Sequence, residues 1–150
     1  MYSVSLNNPY LLYIEDDNDD VELLRHALAD TKFSFEIIAI PDGLEALKFL
    51  EMVKERNRLP EAILLDINLS RMDGKETFLC ITKDKKLSRI PICIVSVSNT
   101  DTDRSYFAAH DIPFVTKPGN VQQFKDDIIN AMKGLLAFSV DFQESKQNTA

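Results

Sequence analysis

Five short apolar runs, separated by longer stretches of helical periodicity, constrain this chain more than any other feature of it. They occupy residues 10–14, 35–40, 62–65, 92–95 and 114–115, each flanked by Pro, Asp or Asn. Runs of that length with near-continuous apolarity predict strands covered on both faces, as in a parallel sheet. Between them, Val21, Leu24 and Leu28 mark one amphipathic helix, and Leu44, Leu47, Leu50 and Val53 mark a second with Gly43 at its start. Phe78 with Ile81, and Tyr106 with Phe107, belong to two more. Phe124, Ile128, Met132 and Leu135 form a stripe that runs to about Phe138. Strand and helix alternate throughout, so the expected fold is an α/β (βα)5 unit, a doubly wound five-stranded parallel sheet of order 2-1-3-4-5.

With 150 residues the chain has room for one such domain. We expect an N-terminal extension over 1–8, the folded domain over 9–138 and a polar tail over 139–150 with no output domain. Phe138, Val140 and Phe142 alternate ahead of that tail, and they suit either packing on the last helix or a self-association face. Seventeen Lys and Arg stand against 24 Asp and Glu, for a net charge of -7. That balance argues against direct binding to nucleic acid or to an anionic membrane. The longest apolar run is far below the roughly 20 residues that span a bilayer, and no basic segment precedes an apolar stretch, so the cytosol is the expected compartment. Cys80 and Cys93 both sit among apolar neighbours and are read as buried free thiols.

The acids are placed unevenly. Glu15, Asp16 and Asp17 end the first strand and Asp66 ends the third. In an open parallel sheet the ligand crevice lies at those carboxyl ends. Two carboxylates about 4 Å apart repel by roughly 4 kcal/mol at an effective dielectric of 20, so converging acids need cations. Lys117, after the fifth strand, supplies one, and a hard divalent cation with oxygen ligands, Mg2+, completes the balance. Asp19 and Asp20 are read as helix-capping acids. A calcium loop starting at Asp16 fails, because Val21 stands where glycine is needed and Ala27 where glutamate is needed. No Gly-rich phosphate loop precedes a Lys-Ser/Thr pair, which disfavours an ATPase or a dinucleotide enzyme.

These residues resemble the receiver domain of two-component response regulators. The likeness rests on Leu12-Tyr13-Ile14-Glu15-Asp16-Asp17, Leu64-Leu65-Asp66-Ile67-Asn68-Leu69, Met72-Asp73-Gly74, Ile94-Val95-Ser96 and Phe114-Val115-Thr116-Lys117-Pro118, in the family's order and spacing. The run from Asp66 to Glu76 and the longer second helix are similar to single-domain regulators that partner phytochrome-like kinases. The resemblance implies a flavodoxin-like receiver fold. It implies that Asp66 accepts a phosphoryl group from a histidine kinase, or from a phosphotransfer protein. Glu15, Asp16, Asp66 and the backbone carbonyl of Asn68 would hold magnesium, Lys117 would pair with the phosphoryl oxygens, and Ser96 would offer them a hydroxyl. Asp17 falls one place late and is given capping. Ser96 and Phe114 are the switch pair of the family, biasing a surface made by the fourth helix, fifth strand and fifth helix. Reversing a 1:99 population needs roughly 5.5 kcal/mol of differential contact. The family also has a cis peptide at Lys117-Pro118.

Three departures from the family pattern carry expectations of their own. Ser70 stands in place of a loop proline, and Val97 stands where a small residue is usual and would narrow phosphodonor access. The segment 108–113 lacks the usual glycine, so the end of the fourth helix is expected to be remodelled, with His110 serving the helix dipole. Thr100 to Asp103 resembles a capping box that starts the same helix. Kinase contact is expected around Asn18, Glu22 and Arg25 and at Gly119 and Asn120. The last helix, with Phe138 and Phe142, suits a homodimer, with a monomer as the alternative. Two other functions were weighed. An aspartate-nucleophile phosphatase would need a second Asp where this chain has Asn68, and a pseudo-receiver would bind partners without phosphorylation.

Overall fold

The computed structural model describes residues 7–148 except 30, 32–34, 99 and 118, with side chains as far as Leu136. Strands β1 (Tyr10–Ile14), β2 (Glu36–Ile40), β3 (Ala62–Leu65), β4 (Ile92–Ser96) and β5 (Phe114–Thr116) alternate with α1 (Asn18–Ala29), α2 (Gly43–Glu55), α3 (Gly74–Lys83), α4 (Asp101–Ala108) and α5 (Val121–Asn148). All strand pairs are parallel, in the order β2-β1-β3-β4-β5. The expected architecture is therefore the observed one, with one short 3-10 turn at Leu87–Arg89 added.

Strand periodicity divides the core in two. Leu12, Ile14, Ile63, Leu65, Ile92 and Ile94 face α2, α3 and α4, meeting Phe49, Leu50, Phe78, Ile81 and Phe107. Leu11, Tyr13, Leu64, Cys93 and Val95 face α1 and α5, meeting Leu24, Leu28, Phe124, Ile128 and Met132. Adjacent residues thus point to opposite layers, each covered by helices, which is why the strands read as unbroken apolar runs. The helices are unequally anchored. Helix α5 buries Phe124, Ile128, Met132 and Leu136, whereas α4 buries Phe107 alone.

Several local signals take a different form from the one expected. Helix α5 continues ten residues past Phe138, through a segment with no Gly or Pro and several helix formers. The side chains of Phe138, Val140 and Phe142 and the Lys117-Pro118 peptide lie outside the described residues. Cys80 is exposed on α3 and only Cys93 is buried, because the α3 stripe of Thr77, Phe78 and Ile81 turns Cys80 outward. Burial pushes the Cys93 thiol up to about 12. At the end of α4, Asp111 takes the left-handed conformation (φ 58) that glycine would otherwise supply, and the Ile112 N–H closes on the Phe107 carbonyl at 2.9 Å. The His110 ring lies 5.3 Å from Phe78 and 5.1 Å from Tyr106, so it extends an aromatic cluster between α3 and α4. Among the described residues, no helix is long and apolar enough to cross a membrane.

Candidate functional site

The sheet ladder reaches one residue past the strands and fixes the site's side chains there. The Glu15 N–H donates to the Ile40 carbonyl at 3.0 Å, the Asp66 N–H to the Ile14 carbonyl at 3.1 Å, and the Lys117 N–H to the Ser96 carbonyl at 2.9 Å. The ends of all five strands are thereby joined, β2, β1 and β3 in one group and β4 with β5 in the other. The loop after β3 folds back where the Gly74 N–H donates to the Ile67 carbonyl at 2.8 Å. A Cβ on Gly74 would run into the Asp66 carbonyl, so only glycine lets α3 start this close.

Lys117 is the hub. Its ammonium, on a side chain only 6% exposed, donates to Asp20 Oδ2 at 2.8 Å, Glu15 Oε2 at 3.0 Å and Asp66 Oδ2 at 3.4 Å. Those three contacts use all the donors an ammonium has. On its other oxygen Asp66 accepts from the Ser96 hydroxyl at 2.8 Å and from the Asn68 N–H at 3.2 Å. Burial works against the Asp66 charge, but the neighbouring Glu15 carboxyl, Lys117, Ser96 and Asn68 outweigh it and hold Asp66 below its ordinary value. Glu15 goes the other way. Its burial, with Asp66 beside it, pushes it up to about 8 despite Lys117. Burial pulls Lys117 down, but contact with Asp20, Asp66 and Glu15 leaves it raised and charged.

One lysine does not balance the acids gathered around it. Glu15, Asp16 and Asp66 each offer an oxygen, all within 4.8 Å of one another, with Asp16 exposed and the other two buried. Three hard oxygen donors converging with one side open suit a divalent cation that keeps waters. Next to them opens a cavity of about 590 Å³ lined by Asp16, Ile67, Asn68, Leu69, Ser70, Asp73, Lys75 and Asp103. The acidic cluster thus meets solvent through Asp16, while Glu15 and Asp66 are buried.

The model of the response regulator receiver domain matches residues 11–129. The chain belongs to the response regulator receiver family. It is 30% identical over 131 residues to the response regulator Rcp1 of Synechocystis, covering 85% of this chain and 86% of that one. It is also 30% identical to a probable methanogenesis regulatory protein, FilR2, of Methanothrix harundinacea, covering 77% and 76%. Among solved structures, the phosphorylated cyanobacterial phytochrome response regulator RcpA superposes with a TM-score of 0.77 at 28% identity, over 87% of this chain and 96% of that one. The Mn2+-bound form of Rcp1 superposes at 0.73 and 27% identity, over 83% and 92%. The chain is thus a receiver related to phytochrome response regulators.

Within that receiver, Glu15, Asp16, Asp66, Ser96 and Lys117 come together at one rim. Asp17 caps α1, accepting from the N–H groups of Asp19 and Asp20. Asp20 departs from its capping assignment: its carboxylate is on Lys117, making the shortest of that lysine's three contacts. A helix-start acid and a lysine-binding acid look alike locally, and only the fold brings Asp20 across to Lys117. Phe114 is half-buried, with its ring 6.3 Å from Phe107 and the Arg104 guanidinium 5.2 Å above it. Val97 is 65% exposed and is not among the residues lining the cavity. Thr100 caps α4 by accepting from the Asp103 N–H at 3.2 Å.

Proposed function

We propose that this receiver accepts a phosphoryl group on Asp66 from a histidine kinase or a phosphotransfer protein, and relays the event through the surface of α4, β5 and α5. The observation that carries this reading is Asp66 itself, a buried carboxyl held below its ordinary value by the Glu15 carboxyl, Lys117, Ser96 and Asn68, beside an open cavity. Ionisation makes it a nucleophile. An Asp66 oxygen attacks phosphorus in line, a P–O bond forms, and the P–N bond to the donor imidazole breaks with its electron pair leaving on nitrogen. Lys117 and the Ser96 hydroxyl then meet the phosphoryl oxygens. Glu15, Asp16, Asp66 and the Asn68 carbonyl are the proposed holders of Mg2+, which when bound neutralises charge on the transferring group. Hydrolysis of the acyl phosphate returns Asp66 and resets the switch without an external enzyme.

Kinase contact is assigned to α1 around Asn18, Glu22 and Arg25 and to the loop at Gly119 and Asn120, with a phytochrome-like kinase as the favoured partner class. A second copy of the chain, meeting it through α5, is a further partner of this reading. Incubation with a small acyl-phosphate donor tests the proposal. Intact mass should rise by one phosphoryl group only when magnesium is present; no gain from either this donor or a phosphorylated histidine kinase would overturn it. Val97, at the exposed rim, is assigned to donor access, so Val97→Ala should react faster with the small donor, and an unchanged rate would remove that role.

A further inference from the structure

A chain of hydrogen bonds leaves the acidic cluster in a direction the phosphoryl chemistry does not use. The Ser96 hydroxyl, which donates to Asp66, also accepts from the Ser98 N–H at 3.3 Å. The Ser98 hydroxyl donates to Asp103 Oδ2 at 2.6 Å, on the first turn of α4. Asp103 Oδ1 takes Lys75 Nζ at 2.7 Å, from the first turn of α3. The lysine ammonium also stands 5.1 Å from the centre of the Tyr106 ring. Five residues, with the Ser98 main-chain N–H as one link, thus connect the end of β3 with β4, α4 and α3 without a break longer than 3.3 Å.

We propose that Ser98, Asp103 and Lys75 are positioning residues that tether the start of α4 to the unphosphorylated acceptor, so that capture of Ser96 by a phosphoryl group loosens that helix. The inference rests on the phosphorylation reading above. A serine hydroxyl has a single proton, already committed to Asp66. An anionic phosphoryl oxygen is a stronger acceptor than the Asp66 carboxylate it displaces, so Ser96 turns toward it. The Ser98 N–H contact is already the longest in the chain, and the turn breaks it. Ser98 then releases Asp103. Helix α4 is the element suited to respond, since Phe107 is its one buried residue. The Lys75–Asp103 pair lines the cavity beside Asp66, so the tether and the donor share one vestibule.

Hydrogen exchange of the amides from Arg104 to Ala108, read with intact mass on the same samples, tests this. Lys75→Met keeps the stem that covers Tyr106 and removes the charge, and Ser98→Ala removes the hydroxyl that holds Asp103 while leaving the Ser98 N–H on Ser96. In the unphosphorylated chain each should quicken exchange roughly two- to fivefold, the range one partly exposed ion pair or hydrogen bond supports. Phosphorylation of the native chain should quicken the same amides, and in Ser98→Ala it should add little more. Exchange in both variants equal to native, or a full phosphorylation increment in Ser98→Ala, would overturn the tether. A native chain that gains no phosphoryl mass would instead overturn the proposed function and the signalling half of this inference, while the unphosphorylated Lys75→Met arm would still decide whether the pair restrains α4.

Discussion

Lys54 on α2 reaches Asp84 at 2.6 Å, and Lys75 on α3 reaches Asp103 at 2.7 Å. The two straps are alike in chemistry and length and differ in what lies behind the aspartate. Asp84 stands just ahead of the 3-10 turn, accepting from the Lys86 and Leu87 N–H groups at 2.9 and 3.0 Å, and its strap ends in a region where Leu87 is buried. Asp103 leads through Ser98 and Ser96 to Asp66. An ion pair of fixed geometry is therefore a brace in one place and a proposed signal element in the other. The difference is set by its neighbours and by the thin anchoring of α4, not by its own strength.

The largest effect that would sharpen this contrast comes from Phe107. Its ring is fully buried and packs edge-on against Phe78 at 5.4 Å and Tyr106 at 5.0 Å. Phe107→Ala should cost about 3–5 kcal/mol in urea unfolding and should free the α4 amides while leaving those near Leu87 protected. Equal loosening at both straps would break the contrast.

A smaller effect belongs to the α4 cap. Thr100→Ala removes the acceptor for the Asp103 N–H and should cost about 1 kcal/mol, again with exchange quickened at α4 alone.

The smallest is electrostatic and lies at the brace. The Lys54 hydrogen bond, with the N–H groups that Asp84 accepts, holds Asp84 down to about 2. A carboxyl depressed in the folded state stabilises above its unfolded value of 3.8, and that contribution is lost as pH falls through about 2. Lys54→Met should flatten stability over that acid window without altering phosphorylation or α4 exchange. A change in either would mean that the brace, too, communicates with the site.

The fold was legible because its strands are buried on both faces, so that β1, β3 and β4 read as unbroken apolar runs, and because each helix carries a stripe. The acidic rim was legible for a related reason: Glu15, Asp16 and Asp66 lie immediately after apolar runs, and the ends of parallel strands converge. What the sequence did not show are contacts between distant segments with ordinary local explanations. Asp20 looks like a helix-start acid, yet its carboxylate meets a lysine 97 positions away. Ser98 and Asp103 look like turn and cap residues, and only packing of α3 beside α4 brings Lys75 to them. The polarity of 139–148 reads as a frayed tail, yet nothing there interrupts a helix and α5 runs through it. Asp111 shows the reverse case: the segment lacks the expected glycine, and the structure supplies its conformation with an aspartate.

Asp66 is the proposed receiver of the phosphoryl group, and locating that group is the most direct test of it. Borohydride reduces an aspartyl phosphate to homoserine, a mark that survives digestion. After reaction with an acyl-phosphate donor and magnesium, peptide mass mapping should place the mark at Asp66, on the peptide from Leu59 to Arg71, and Asp66→Asn should carry none. A mark on Glu15, Asp16 or Asp20, or a phosphoryl gain that persists in Asp66→Asn, would contradict it.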